Sequence, residues 1–187
     1  MILSGLSIRE RCDPIYPVNM GHGNIDYIDN PDIMITPFVE RTVQGGKSFG
    51  LSYAGYDIRI DKIVHDRFDP RDLEEAWQFR MMPGDFVLGS SVERIKMPND
   101  LMCIVHDKSS WARAGLALQN TVLEPGWEGW ITLELTFHRP NHHVIIRKGD
   151  PIAQLVFHKI DKPVKGYEGK YQNQPDIPVE ARSETIT

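Results

Sequence analysis

The sequence predicts a mainly β protein, a distorted antiparallel sandwich or barrel with a few short helices. From Met82 onward, short apolar runs of β-type composition are separated by turn residues at fairly regular intervals. Pairs such as Pro83-Gly84 and Pro125-Gly126 supply those turns. Many short strands at even spacing are typical of antiparallel all-β folds, whereas a βαβ array alternates strands with long helices.

Six strands are predicted in this part of the chain. They cover residues 86–88, 101–105, 116–118, 130–137, 144–146 and 152–157. Residues 18–50 are rich in Gly, Asn, Asp and Pro, so we expect loops that join short strands there.

Three short helices are expected. Ser7 to Glu10 has the S-x-x-E form of a capping box, and Pro14 and Pro17 would end that helix. Residues 72–78 form a second, polar candidate. Residues 109–114, followed by Gly115, predict one or two helical turns set into the sheet.

Composition favours one domain with an appended arm. The 187 residues divide into a β domain over residues 1–160 and an arm over residues 161–187, which loses the strand pattern and must dock or remain disordered. The net charge of -5 and the absence of a Lys/Arg stripe argue against nucleic-acid binding. No apolar run approaches the roughly 20 residues of a membrane span, and no secretory signal begins the sequence, so we expect a cytoplasmic protein.

Metal-binding patterns are weak in this sequence. Cys12 and Cys103 are far apart and form no C-x-x-C motif, so two reduced thiols are expected. His142 and His143 are adjacent, and neighbouring residues on a strand point to opposite faces. We therefore predict no zinc site.

Two segments have the composition of a phosphate site. Gly45-Gly46-Lys47-Ser48 looks like part of a P-loop, but Arg41 stands where the first glycine of that motif belongs, so a turn is the better interpretation. Lys108-Ser109-Ser110 offers a cation and two hydroxyl groups at the start of a helical turn, a combination that suits phosphate oxygens. Taken alone, the serine pair is also explained by a helix N-cap.

Two carboxylates follow this segment. Glu124 precedes a Pro-Gly turn, and Glu134 lies on the predicted strand 130–137, on the face opposite the aliphatic side chains. A solvated outer face would explain Glu134, but Trp130 and two threonines on the same face suit a cavity. Partial burial there would raise the pKa of the glutamate toward that of a general acid/base.

Several of these motifs together resemble the dCTP deaminase family of the trimeric dUTPase-like superfamily. The resemblance runs through Tyr56 to Ile60, Met82 to Pro98, Lys108 to Glu134 and Tyr167 to Gln174. Its most specific parts are Ser-Ser-x-x-Arg, Pro-Gly-Trp-x-Gly-x-x-x-Leu-Glu and Lys-Tyr-Gln-Asn-Gln, in that order. A dUTPase-like β fold is the expectation that follows.

The resemblance also implies roles for individual residues. Glu134 matches the glutamate that activates water, and Arg113 and Ser109 match residues that surround it. The residues implied to bind the substrate are Lys108, Ser110, Gln119, Thr121, Val122, Glu124, Trp127, Gln154, Tyr167, Lys170 and Gln174.

The implied reaction is metal-independent hydrolytic deamination of dCTP to dUTP and ammonia. Mg²⁺ would be bound through the substrate triphosphate, and the sites would lie at the subunit interfaces of a homotrimer. The chain lacks the H-x-E and P-C-x-x-C signature of zinc deaminases.

Two departures keep other functions open. The segment between Gly115 and Pro125 is two residues shorter than in typical dCTP deaminases, and Glu124 stands where the family has aspartate. A dUTP pyrophosphatase, or a bifunctional enzyme that releases dUMP and pyrophosphate, is therefore the first alternative. A non-catalytic nucleotide-binding module is the second.

Overall fold

A computed structural model describes residues 1–21, 24–29, 32–64 and 78–183, with the backbone alone over residues 16–21 and 24–29. Two short helices and fourteen strands occur in these ranges. The helices are α1 (Gly5–Glu10) and α2 (Ser109–Ala112). The strands are β1 (Ile15–Gly21), β2 (Asn24–Asp29), β3 (Ile35–Thr36), β4 (Thr42–Gln44), β5 (Lys47–Leu51), β6 (Tyr56–Val64), β7 (Gln78–Met81), β8 (Phe86–Lys96), β9 (Leu101–Asp107), β10 (Leu116–Leu118), β11 (Thr121–Leu123), β12 (Glu128–Phe137), β13 (Val144–Arg147) and β14 (Pro151–Lys159).

Most of these strands join one curled antiparallel sheet. Its main order is β10-β12-β8-β6-β14-β9-β11, with β3 added to β8, and with β5 added to β6 and β4 to β5. β1 pairs with β2, and β13 pairs with β7, in two small separate sheets. The predicted antiparallel β fold is confirmed, and each of the six predicted strands lies within or overlaps an observed one.

The core lies on one face of the long strands. On β12, Ile131, Leu133, Leu135 and Phe137 alternate along the strand, and none is more than 1% exposed. Strand alternation places Trp130, Thr132, Glu134 and Thr136 on the other face. The fold therefore presents a carboxylate on the non-core side of a central strand.

Three expectations about local structure need correction or restriction. Helix α1 begins one turn earlier than predicted, because Ser4 and not Ser7 is its N-cap and accepts a hydrogen bond from the Ser7 backbone N–H. The predicted helix over residues 72–78 lies outside the described residues except for Gln78, which begins strand β7. Pro17 lies within β1, beyond the point at which the helix has already ended.

The segment with the P-loop-like composition is a tight hairpin turn. Gln44 of β4 pairs with Lys47 of β5, and Gly45 and Gly46 between them have φ angles of 55° and 75°. Glycine is favoured at both positions because positive φ is strained for other residues. The turn interpretation is confirmed.

Beyond β14 the chain continues as an arm that packs on the sheet. Tyr167 packs against the hydrophobic core, and Gln174 forms an isolated parallel bridge with Gly129. In the described part of the chain, no helix has the length and hydropathy that crossing a bilayer requires.

Candidate active site

A cavity of about 500 Å³ lies over the non-core face of the sheet. The β-sheet, the turn after β11 and the arm all contribute to its wall. Its lining comprises Val64, Phe86, Val87, Leu88, Thr121, Val122, Leu123, Glu124, Trp127, Ile131, Thr132, Glu134, Tyr167, Tyr171, Gln174, Val179, Glu180 and Ala181. We refer to this space as the Glu134 cavity.

Glu134 is the half-buried carboxylate in the wall of this cavity. Burial raises the pKa of its carboxyl group above the ordinary value, and a hydrogen bond with the Glu134 backbone opposes that effect. A carboxylate with a raised pKa holds a proton more readily at neutral pH, as a general acid/base must. The solvated outer face considered from the sequence does not describe this side chain.

The turn after β11 places a second carboxylate and an indole ring at the same cavity. The backbone N–H of Trp127 donates a hydrogen bond of 3.0 Å to the Glu124 carbonyl oxygen, and this bond closes the turn at Gly126. Trp127 is 5% exposed, whereas Glu124 is exposed. The cavity wall thus combines a buried flat ring with a solvated carboxylate.

The arm is hydrogen-bonded along this turn. The Tyr167 N–H donates to the Pro125 carbonyl oxygen at 2.8 Å, and the Trp127 indole N–H donates to the Tyr171 carbonyl oxygen at 2.8 Å. The side-chain amide of Gln172 donates to the Gly126 carbonyl oxygen and accepts from the Glu128 N–H, both at 2.9 Å. Gln172 lies inside the recognised Lys-Tyr-Gln-Asn-Gln motif, but sequence reasoning assigned it no role.

Further along, the arm follows strand β12. The Trp130 N–H donates to the Gln174 carbonyl oxygen at 3.2 Å, and the Val179 N–H donates to the Thr132 hydroxyl oxygen at 3.1 Å. Asp176 forms an ion pair of 2.8 Å with Lys62 on β6. Gln174, itself 8% exposed, is thereby held at the cavity.

Lys170 is directed toward the arm itself. Its ammonium group donates to the Arg182 carbonyl oxygen at 2.5 Å and lies 5.2 Å from the centroid of the Tyr171 ring. Arg182 returns a hydrogen bond of 3.0 Å from its guanidinium to the Lys170 carbonyl oxygen. These contacts close a loop of the arm beside the cavity.

Helix α2 presents the polar side chains of the Ser-Ser-x-x-Arg motif to the surface. Ser109, Ser110 and Arg113 are exposed, whereas Trp111 is 6% exposed and packs in the core. Lys108 occupies the N-cap position and makes no side-chain cap hydrogen bond. The serine pair is therefore inside the helix, so the N-cap explanation does not hold.

A buried ion pair lies at the beginning of this helix. The Lys108 ammonium lies 2.6 Å from Asp57 Oδ2, and the two residues are 9% and 5% exposed. Burial raises the pKa of the Asp57 carboxyl group, against the opposing effect of Lys108. Asp57 Oδ1 is buried and has no hydrogen-bond partner among the residues that the structure describes. Sequence reasoning missed Asp57, although it lies in the recognised Tyr56 to Ile60 segment.

The structure brings together only some of the predicted site residues within one chain. Thr121, Val122, Glu124, Trp127, Glu134, Tyr167 and Gln174 line the cavity. The described residues that line it do not include Lys108, Ser109, Ser110, Arg113, Gln119, Gln154 or Lys170. Of these, Gln154 is half-buried on β14 opposite Asp57, and the exposed Gln119 donates from its N–H to the Glu134 carbonyl oxygen at 3.0 Å.

Metal ligands do not cluster in the described ranges, where no three His, Cys, Asp or Glu side chains lie close enough to hold an ion. Cys12 and Cys103 are both buried and unpaired.

The curled antiparallel sheet is a fold that this chain shares with a solved nucleotide deaminase. The 2'-deoxycytidine 5'-triphosphate deaminase of Agrobacterium tumefaciens superposes with a TM-score of 0.55 at 16% identity, over 85% of this chain and 48% of that protein. The chain therefore spans about half the length of that solved protein.

Sequence comparison defines the family more narrowly. The dCTP deaminase-like family profile matches residues 22–160. The dCTP deaminase of Herpetosiphon aurantiacus is 37% identical over 163 residues, which cover 77% of this chain and 88% of the relative. The dCTP deaminase of Thermococcus gammatolerans is 32% identical over 158 residues, which cover 84% of this chain and 95% of the relative. The chain belongs to the dCTP deaminase-like family.

Proposed function

We propose that the protein is a dCTP deaminase, which converts dCTP and water to dUTP and ammonia. The observation that carries this proposal is the half-buried Glu134, whose pKa is raised by burial in the wall of a cavity of nucleotide size. The relatives named as dCTP deaminases support the same substrate.

Glu134 acts as the proton carrier in this reaction. Its carboxylate takes a proton from water, and the water oxygen adds to ring carbon 4 while N3 gains a proton. The proton of the new hydroxyl group on carbon 4 then passes through Glu134 to the amino group, the bond between carbon 4 and the amino nitrogen breaks as the carbonyl forms, and ammonia leaves. Proton transfer of this kind contributes roughly 10²–10⁴-fold to rate.

Ser109 and Arg113 complete the site from a neighbouring subunit in our proposal. Both side chains are exposed, Ser109 in α2 and Arg113 at its C-cap, and neither is among the described lining of the Glu134 cavity in a single chain. A homotrimer with sites between subunits would bring the α2 surface of one copy to the cavity of the next. The guanidinium of Arg113 would then favour the ionised form of Glu134 as water is activated.

The triphosphate is bound by Lys108, Ser110, Gln154 and Lys170 in this proposal. Mg²⁺ would arrive on the phosphate oxygens, which are the hard ligands that it prefers, and it neutralises phosphate charge. The buried Asp57 Oδ1, which lacks a hydrogen-bond partner in the described part of the chain, fits as an acceptor for water on such an ion. No proton transfer in the proposed reaction involves the metal.

A second candidate activity is supported by Glu124. This exposed carboxylate lines the same cavity as Glu134, at the position that a dUTP pyrophosphatase would use to activate water against the α-phosphate. A bifunctional enzyme would use both carboxylates and release dUMP and pyrophosphate.

A paired assay separates these functions. The protein is incubated with dCTP and with dUTP, and ammonia and pyrophosphate are measured separately. We expect ammonia from dCTP and no pyrophosphate from either nucleotide. Ammonia together with pyrophosphate would identify the bifunctional enzyme, and pyrophosphate from dUTP without ammonia from dCTP would overturn deamination. Binding without either product would indicate a non-catalytic module.

A cytoplasmic location belongs to the same proposal. Cys12 and Cys103 are unpaired thiols, which is the form that a reducing compartment maintains.

A further inference from the structure

The two sides of Glu134 differ in chemistry. On the β8 side, Leu88 is the cross-strand neighbour of Glu134, and Val64 of β6 is in turn paired with Leu88. Both aliphatic side chains are half-buried and line the Glu134 cavity. A row across three strands thus passes from a carboxylate to two aliphatic groups.

The side of Glu134 toward β10 and the start of β11 carries hydrogen-bonding groups, and the apolar Val122 and Leu123 of β11 line the cavity beyond them. The Gln119 N–H donates to the Glu134 carbonyl oxygen at 3.0 Å, and the chain then passes through Asn120 to Thr121. Thr121 is half-buried and lines the cavity. Backbone and side-chain groups that form hydrogen bonds therefore lie on this side.

A cytosine ring has the same asymmetry about carbon 4. N3 and the O2 carbonyl lie beyond carbon 4 on one side and need hydrogen-bond partners, whereas carbon 5 on the other side bears only hydrogen. Burying N3 against Leu88 and Val64 would leave a polar atom unpaired, which is unfavourable. With the amino group at Glu134, the favourable orientation would turn N3 toward residues 119–121 and carbon 5 toward the aliphatic pair.

We propose that the protein also deaminates deoxycytidine triphosphates with a small apolar substituent on carbon 5, for which 5-methyl-dCTP is the probe. This inference rests on the proposed deaminase function. The bond between carbon 4 and the amino nitrogen breaks and a carbonyl forms from water, so the products are dTTP and ammonia. The reaction needs no co-reactant other than water.

The cavity has the volume and the lining that a methyl group requires. Its volume is about 500 Å³, and Val179 of the arm adds a further aliphatic side chain to the lining, held by the hydrogen bond from its backbone N–H to the Thr132 hydroxyl. Glu180 also belongs to the lining but is exposed. Burial of one methyl group is worth roughly a fourfold gain in binding.

The test compares ammonia release from dCTP and 5-methyl-dCTP by the wild-type protein. We expect kcat/KM for 5-methyl-dCTP to equal or exceed that for dCTP, by up to about fourfold. Activity on dCTP with at least a twentyfold lower kcat/KM for 5-methyl-dCTP would overturn the inference and leave the proposed function intact. No ammonia from either nucleotide would overturn both.

Two variants test whether the aliphatic pair is responsible. Leu88→Phe and the smaller change Val64→Leu should each lower kcat/KM at least several-fold more for 5-methyl-dCTP than for dCTP. Val43→Phe is the control, because Val43 is 66% exposed on the β4–β5 hairpin. An equal loss on both nucleotides in a folded Val64→Leu protein would contradict the assignment of carbon 5 to this side.

Discussion

The Trp127 indole N–H donates a hydrogen bond of 2.8 Å to the backbone carbonyl oxygen of Tyr171. Because Trp127 lines the Glu134 cavity and Tyr171 belongs to the arm, this bond joins the arm directly to the cavity wall. Gln172 adds two hydrogen bonds of 2.9 Å to the backbone on either side of Trp127. The arm therefore forms part of the wall of the Glu134 cavity in the same chain.

Replacing Gln172 by alanine should weaken nucleotide binding. Two hydrogen bonds worth roughly 1 kcal/mol each hold the arm to the turn, so we expect KM for dCTP to rise about tenfold or more with a smaller change in kcat. Steady-state kinetics measures both quantities. Glu168→Ala is the matched control, because Glu168 lies on the same arm in an exposed ion pair with Lys165. An unchanged KM for Gln172→Ala would contradict the role of the arm.

Gly129→Ala should detach the arm at a second point. Gly129 has a φ angle of 146°, and a Cβ atom there would lie 2.6 Å from the Gln174 nitrogen. We expect faster tryptic cleavage of the arm, with a cost in docking of about 1–3 kcal/mol. Gly84→Ala is the control, because Gly84 has a φ angle of 87° but nothing within 4 Å of an added Cβ. Equal cleavage rates in the two variants would show that backbone strain alone accounts for the effect.

Lys108 has a structural role that is separable from phosphate binding. Lys108→Met leaves the Asp57 carboxylate buried without its partner, and such a loss costs about 3–5 kcal/mol. The double variant Asp57→Asn and Lys108→Met should recover most of this stability, because no buried charge remains unpaired. Urea unfolding measures the recovery. If Lys108 also binds phosphate, the stable double variant will still bind dCTP weakly, and wild-type affinity would contradict that role.

Glu134→Gln should stabilise the protein at neutral pH. Burial raises the pKa of Glu134 in the folded state, so the folded protein holds this proton more tightly than the unfolded chain does. The stability from this group is complete below its unfolded pKa and is lost as pH rises through the raised folded pKa. Glutamine has no proton to lose, so the Tm of the variant should exceed that of the wild type at pH 7.5. The difference should shrink toward pH 4, and a lower Tm at pH 7.5 would contradict the burial penalty.

The alternation of residues 130–137 made β12 and the orientation of Glu134 predictable. Strand β8 was predicted only as residues 86–88, because Ser91 and Glu93 interrupt its apolar pattern. Both are buried in the fold: the Ser91 hydroxyl accepts from the Ile131 N–H at 2.9 Å, and Glu93 pairs with Arg59 at 2.7 Å. Tertiary partners thus satisfy polar residues that a local pattern assigns to a turn or a surface.

The candidate site also contains residues that the sequence indicates and contacts that only the fold shows. Motif order was enough to indicate Glu134, Trp127 and Gln174, which all line one cavity. The pairing of Lys108 with Asp57 was not predictable, because it joins α2 to a strand 51 residues earlier in the sequence. The start of α1 was missed because Ser4 and Ser7 both have capping side chains, and only the fold shows that Ser4 is used.

The most direct test of the central claim is ammonia release from dCTP by the wild-type protein and by Glu134→Gln, with dCTP binding measured on both. We predict that the variant loses at least roughly 10²-fold in kcat while its Kd for dCTP stays within about threefold of wild type. A variant that binds dCTP and still releases ammonia at near the wild-type rate would show that Glu134 does not carry the proton.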